Sequence, residues 1–232
     1  MGDGDTPIIR QLFRTATPSW LKRRLLPFES ELRAQATRFC REHRGRLILD
    51  VGCGREIMEG ASIGFDIRPV NLVDSRRGVC GDAMQLPFAS ASFDFMLCNA
   101  ALHHFADPEQ ALREMRRALR SGGDLLLTVP DGFPETDQPD DYFRFDRAGI
   151  LAILERTGWS VVKCAPIGGR FWMFSRHLLE WLFKWNRGLR LIIFAVGVPI
   201  AGFLLPLACF YADSLETPSR RTLGWSILAR KQ

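Results

Sequence analysis

Leu47-Ile-Leu-Asp50-Val-Gly52-Cys-Gly54 is the stretch on which the reading of the chain turns. A short apolar run bounded by glycine reads as a buried strand, and here it runs straight into a glycine turn. Glycines at such a place let the backbone come close to a ligand, at the edge where open α/β sheets bind their ligands. The dinucleotide fingerprint would need glycine at position 57, which is Ile57, and no Gly-Lys-Ser/Thr follows to cradle a phosphate.

Working outward, Ser62 to Phe65, Phe93 to Cys98 and Asp124 to Val129 read as further buried strands. Pro108 to Leu119 reads as an amphipathic helix, with Asp107 as its N-cap and Pro108 in the first helical position. Strands alternating with helices predict a parallel sheet covered on both faces. Beyond the Pro- and Asp-rich loop Asp131 to Asp141, a helix is expected over Arg147 to Thr157, then strands near Trp159 to Cys164 and Leu223 to Ala229. Upstream, Glu29 to His43 is a helix ended by Gly45.

The composition agrees with a globular domain: 232 residues, 47% hydrophobic and 25% charged, which excludes a disordered or collagen-like chain. Six scattered cysteines form no Cys-x-x-Cys pair, so neither a metal site nor a disulfide framework is predicted. The net charge of +5 belongs to residues 1–46, which hold ten Lys/Arg against five Asp/Glu. Met1 to Asp5 carries two aspartates, which predicts no secretory leader. Leu191 to Ala212 is a run of 22 uncharged residues, long enough to cross a bilayer if helical. Gly197, Pro199, Gly202 and Pro206 would break such a helix, while Trp172, Trp181 and Trp185 and the basic residues from Arg170 to Arg190 suit an interfacial anchor.

The chemistry is expected at strand ends. Asp66 closes the second strand, where a carboxylate can accept from ribose hydroxyls, and Gly81-Asp82-Ala83 follows, where another can accept from an adenine amino group. Asp50, Asp66 and Asp82 in register after one glycine turn favour a nucleoside site over three unrelated loop acids.

Read in order, LILDVGCG, GFDI and GDAMQLPFASASFDFMLCNAALHHFADPEQALREMRRALRSGGDLLLTVP resemble the successive motifs of the class I S-adenosylmethionine-dependent methyltransferases, in particular the methyltransferase type 11 group. The resemblance covers about residues 46–165 and 222–231. It implies a doubly wound, mostly parallel seven-stranded α/β sheet of the Rossmann-like methyltransferase kind, into which the uncharged run falls as a hydrophobic helical insertion between the last two strands. It also implies S-adenosylmethionine as cofactor, with Asp50, Gly52 and Gly54 facing its methionine part, Asp66 the ribose, Asp82 and the Ala83 amide the adenine, and Asn99 near the methionine moiety. Two departures stand out. Glu56 occupies the place of the family's third glycine, and only nine residues separate Gly54 from Gly64, so the first helix is expected to have one or two turns.

His103 and His104 are candidate catalytic bases, needed only where the acceptor is a poorly acidic hydroxyl or carbon acid; capping or packing under the loop is the alternative role. Asp140-Asp141-Tyr142-Phe143-Arg144-Phe145 resembles the YDYxRxT element of methyltransferases associated with polysaccharide and lipid-linked glycan pathways. Tyr142 and Arg144 are then acceptor contacts, with a structural ion pair from Arg144 to an aspartate as the alternative. The resulting organisation is a basic amphipathic helical arm over 1–45, a methyltransferase domain over 46–169 and 216–232, and the hydrophobic insertion over 170–215. The expected function is methyl transfer to an amphipathic or lipid-linked acceptor at the cytoplasmic membrane face, without nucleic acid. The alternatives are a soluble small-molecule methyltransferase with an apolar lid and a non-catalytic S-adenosylmethionine-binding protein.

Overall fold

The computed structural model describes residues 27–73, 75–132, 140–169 and 222–232, together with isolated positions between 171 and 212. The arm before residue 27 and most of the insertion, including most of the uncharged run, lie outside the described residues. The elements are α1 (Pro27–Glu42), β1 (Ile48–Val51), β2 (Ile63–Asp66), β3 (Gly78–Cys80), β4 (Phe93–Asn99), α2 (Pro108–Ala118), β5 (Leu119–Pro130), α3 (Arg147–Arg156), β6 (Trp159–Ile167) and β7 (Gly224–Lys231). The seven strands form one sheet in the order β3-β2-β1-β4-β5-β7-β6. The first five are parallel, and β7 pairs antiparallel with both β5 and β6. The strand order reverses between β1 and β4, which opens a crevice at their carboxyl ends.

Side chains on successive residues divide between the two faces of the sheet. On one face Ile48, Leu97, Phe95, Leu126 and Leu228 meet Ala36, Phe39 and Cys40 of α1. On the other, Leu49, Val51, Met96, Cys98, Leu125 and Leu127 meet Ala111, Leu112 and Met115 of α2 and Ile150 and Leu154 of α3. Asp107 caps α2 as the sequence predicts, its Oδ1 accepting from the Gln110 amide at 2.9 Å. Helix α1 is thus part of the core of the sheet.

The expected short helix after β1 does not form; residues 52–62 are turns and bends. The reason is local. Gly54 N–H donates to Asp66 Oδ2 (2.9 Å) and Met58 N–H to Asp50 Oδ2 (2.8 Å), so two of the amides a helix would use are drawn to side chains at the strand ends. The face left bare is covered by α1, whose Phe39 and Cys40 pack with Met58 and Ala61. Among its described residues the link from β2 to β3 likewise holds only the single turn Pro69–Asn71, and β3 itself, three residues long, is a strand the apolar pattern does not announce.

The β6–β7 hairpin sets where the insertion leaves the domain. Ile167 pairs with Gly224, which pairs with Pro130, the carboxyl end of β5. Buried Thr222 ties both ends together: its Oγ1 donates toward the Ile167 carbonyl (2.7 Å) and accepts from the Ile167 amide (3.0 Å). The chain therefore departs and returns at one point, on the same sheet edge as the crevice, which a single crossing of a membrane could not do. No helix among the described residues is long and apolar enough to cross a membrane.

Candidate cofactor and acceptor site

At that edge lies a cavity of about 360 Å³, within the range of small-ligand sites. Its lining brings together Gly52, Gly54, Asp66, Asp82, Ala83, His104 and Tyr142 of the residues expected from sequence, and adds Ile67, Arg68, Asn71, Ala101, Phe105 and Asp140 among others. Asp50, Asn99, His103 and Arg144 do not line it.

The wall made by β1, β2 and β3 is held through backbone. Gly52 has φ +71° and donates its N–H to the Phe65 carbonyl at 2.7 Å; a Cβ there would sit 2.3 Å from Ala101 Cβ. Gly54, at φ +60°, has nothing within 4 Å of the Cβ position. Asp66 accepts from Gly54 N–H on Oδ2 and from Arg68 N–H and Asn71 Nδ2 on Oδ1, each at 2.9 Å. A carboxylate offers about four acceptor positions, so one remains for a ligand, and the Asn71 side chain is the donor that a sugar hydroxyl can displace without moving backbone. Asp82 accepts from the Met84 amide on Oδ1 (2.8 Å), which leaves Oδ2 for a ligand donor. Two acids with acceptor capacity, set along a cavity floored by side-chain-free turns, suit the ribose and base of a nucleoside.

Behind this wall, Asp50 is buried on the Met58 amide, and burial pushes its carboxyl up to about 6, the charge of Asp66 adding to the rise against the Met58 hydrogen bond. It shapes the turn from within. Burial, reinforced by Asp50, pushes Cys53 up to about 12, so this thiol is no thiolate nucleophile at neutral pH.

The opposite wall is held by side chains. After β4 a single turn, Leu102–His104, presents the two histidines. His104 Nδ1 bonds the Asp140 carbonyl; a carbonyl only accepts, so Nδ1 carries a proton, and in the neutral ring the lone pair is on Nε2. His103 is buried, its Nδ1 has no hydrogen-bond partner, and its ring lies 3.9 Å from that of His104. Burial, then the neighbouring His104, lower it to about 4, so it is neutral. Its carbonyl accepts from the Tyr142 amide at 3.0 Å, tying the 140–145 segment down. Arg68 Nη2 reaches Asp140 Oδ2 at 2.9 Å, bridging the two walls. Arg144 forks onto both oxygens of Asp141, so the ion pair left open by the sequence is present. His103, His104 and Asp141 are close enough to suggest a metal trio, but the guanidinium already neutralises the carboxylate.

Asn99 accepts on Oδ1 from Thr128 Oγ1 at 2.7 Å. Of the lining residues missed in the sequence, Arg68 and Asn71 carried a usable signal: an aspartate that bonds the amide two residues on is a common turn device. Ala101, Phe105 and Asp140 carried none, because they enter through tertiary packing.

A family model described as a methyltransferase domain matches residues 49–127. A demethylmenaquinone methyltransferase of Listeria monocytogenes is 30% identical over 204 residues, covering 75% of this chain and 77% of that protein. A tRNA (carboxymethyluridine(34)-5-O)-methyltransferase of Xenopus tropicalis is 41% identical over 100 residues, 37% of this chain and 16% of that protein. The chain spans less than half the length of the first curated relatives it matches. The YcgJ protein of Bacillus subtilis, a solved structure, shares the fold with TM-score 0.52 at 19% identity, over 88% of this chain and 99% of that one. With the motif order, the reversal between β1 and β4 and the matched relatives in agreement, the chain belongs to the class I S-adenosylmethionine-dependent methyltransferases, methyltransferase type 11 group.

Proposed function

We propose that the protein methylates a lipophilic or lipid-linked acceptor presented at a membrane surface. The observation that carries this reading is the placement of the insertion: its two ends, tied by Thr222, leave the sheet at the edge that holds the cavity. The segment between those ends carries the 22-residue uncharged run Leu191 to Ala212. The rim supports the same reading, because Ile67, Val70 and Val73 are 64%, 64% and 76% exposed within one short stretch next to Arg68. Exposed apolar residues beside basic ones suit an anionic bilayer surface. The Listeria relative, named for demethylmenaquinone, offers a precedent within the family for a small-molecule acceptor.

S-adenosylmethionine supplies, when bound, a methyl group already activated on a sulfonium. What this chain adds is placement and exclusion of water. Asp66 and Asp82 are assigned to the ribose and adenine, the Gly52–Gly54 turn to the methionine part, and Asn99 to the same part from behind the floor. Asp50 is assigned a supporting role beneath the turn. His104 is the proton acceptor for a hydroxyl acceptor, since Nε2 is free and its tautomer is fixed by Asp140. His103 packs behind it. Tyr142 contacts the acceptor at the mouth, and Arg144 orders the 140–145 segment through Asp141.

The test offers purified protein and methyl-labelled cofactor to a membrane lipid extract, to an aqueous metabolite extract and to bulk tRNA. Label in the organic phase is the expected result. Label confined to the aqueous extract would favour an apolar lid over a soluble acceptor, and label in tRNA would place the protein with its tRNA-modifying relatives; either overturns the lipophilic reading.

A further inference from the structure

The residue after β4, Ala100, adopts φ +51°, a left-handed conformation that a residue with a Cβ seldom takes. It is one of two non-glycine residues with positive φ among the described residues, and it lines the cavity. Strain of this kind persists only where surrounding contacts fix it. The contacts come from Thr128 on β5, the cross-strand partner of Asn99. Thr128 is 3% exposed. Its Oγ1 accepts from the Ala100 amide at 2.8 Å and donates to Asn99 Oδ1 at 2.7 Å, while its own carbonyl also accepts from the Ala100 amide at 3.2 Å.

A hydroxyl carries one hydrogen. With that hydrogen given to Asn99 Oδ1, the Asn99 amide is fixed with its oxygen inward and its two Nδ2 hydrogens left to donate elsewhere. The same hydroxyl pins the left-handed turn, which sets Ala101 against the glycine turn, where Gly52 has room only because it lacks a Cβ. One buried oxygen thus controls two features around the cavity: the orientation of the Asn99 amide behind its floor and the approach of Ala101 to Gly52.

We propose that Thr128 is a positioning residue for the cofactor, holding Asn99 and the Ala100 turn in their binding arrangement without touching the ligand. The inference rests on the reading of this cavity as the cofactor site. Valine has nearly the shape of threonine and keeps the strand packed, but it can neither accept from Ala100 nor donate to Asn99. Serine keeps both hydrogen bonds.

The test is calorimetric titration of S-adenosylhomocysteine into wild type, Thr128→Val and Thr128→Ser, with thermal unfolding of each. Thr128→Val should bind about tenfold more weakly, the scale of losing a hydrogen bond at a buried group, and Thr128→Ser should recover affinity to within about twofold of wild type. The double variant Ala100→Gly, Thr128→Val keeps the experiment informative if the valine variant alone does not fold, because glycine takes the left-handed turn without strain. Weak binding in the folded double variant supports the proposal, since Asn99 is still unheld. Affinity in Thr128→Val, or in the folded double variant, within twofold of wild type would overturn it, whatever the change in Tm. Failure of wild type to bind would instead refute the cofactor site itself, a separate outcome.

Discussion

The two walls of the cavity are held by different means. On the β1–β3 side, backbone does the holding: Gly52 bonds the Phe65 carbonyl, and Asp50 and Asp66 accept from the amides of Met58, Gly54 and Arg68. On the side formed by the turn after β4 and the 140–145 segment, side chains are tied largely through other side chains and loop carbonyls: Arg144 on Asp141, Arg68 on Asp140, His104 on the Asp140 carbonyl. A wall fixed through backbone geometry keeps its shape for a constant ligand, whereas one fixed by side chains can be altered residue by residue. That division suits a family with one cofactor and many acceptors.

The difference can be broken most forcefully at Gly52. Gly52→Ala places a Cβ 2.3 Å from Ala101 Cβ at a left-handed φ, so the unfolding free energy in urea should fall by about 3 kcal/mol or more. Gly54→Ala, with open space around the same position, should cost only about 1 kcal/mol. Equal losses at the two glycines would remove the claim that the first is fixed by close approach.

On the other wall the corresponding substitution is Arg144→Ala. The Asp141 side chain is fully buried against that guanidinium, and stripping a buried carboxylate of its cation costs about 3 kcal/mol. Recovery of most of that loss in the double variant Arg144→Ala, Asp141→Asn is expected in the same urea titration. No recovery would mean that the wall depends on something other than this pair.

Each wall also hides one group that titrates oddly, and the two act in opposite directions. Asp50 is raised to about 6 from an ordinary 3.8, so its folded form holds a proton better than the unfolded chain does. Its contribution is present in acid and is lost as pH rises through about 6. His103 is lowered to about 4 from 6.5, so its contribution is present above 6.5 and is lost as pH falls through about 4. In the wild type the two offset one another. Tm measured between pH 4 and pH 7 should fall more steeply on acidification in Asp50→Asn than in wild type, because the opposing effect of Asp50 is removed. In His103→Phe it should rise on acidification relative to wild type. Parallel curves for all three proteins would contradict both assignments.

The smallest effect is expected at the bridge between the walls. Arg68 and Asp140 are about half exposed, and such pairs contribute about 0–1 kcal/mol. Arg68→Ala should therefore leave Tm within about 2 °C of wild type, and any change should appear in the KM for the acceptor.

The same contrast explains what could be read from the sequence. The backbone-held wall is encoded locally: glycine spacing after an apolar strand and an aspartate closing the next strand give Gly52, Gly54 and Asp66 directly. The parallel strands and the Asp107 cap were legible for the same reason, each being signalled by residues adjacent in the chain. The absent helix after β1 was not, because its amides are claimed by Asp50 and Asp66 and its face is filled by α1, contacts between residues distant in sequence. The side-chain wall was legible only as a list of candidates. Which histidine faces the cavity, that Arg144 is committed to Asp141, and that Thr128 sits under Asn99 all depend on tertiary packing.

Asp66 joins the account together, since it is both the amide anchor of the glycine turn and the acid assigned to the ribose. Calorimetric titration of S-adenosylhomocysteine into wild type and Asp66→Ala tests it most directly. One-to-one binding by the wild type, weakened at least about tenfold in a folded Asp66→Ala, is the predicted result; equal affinity in the two proteins would contradict it.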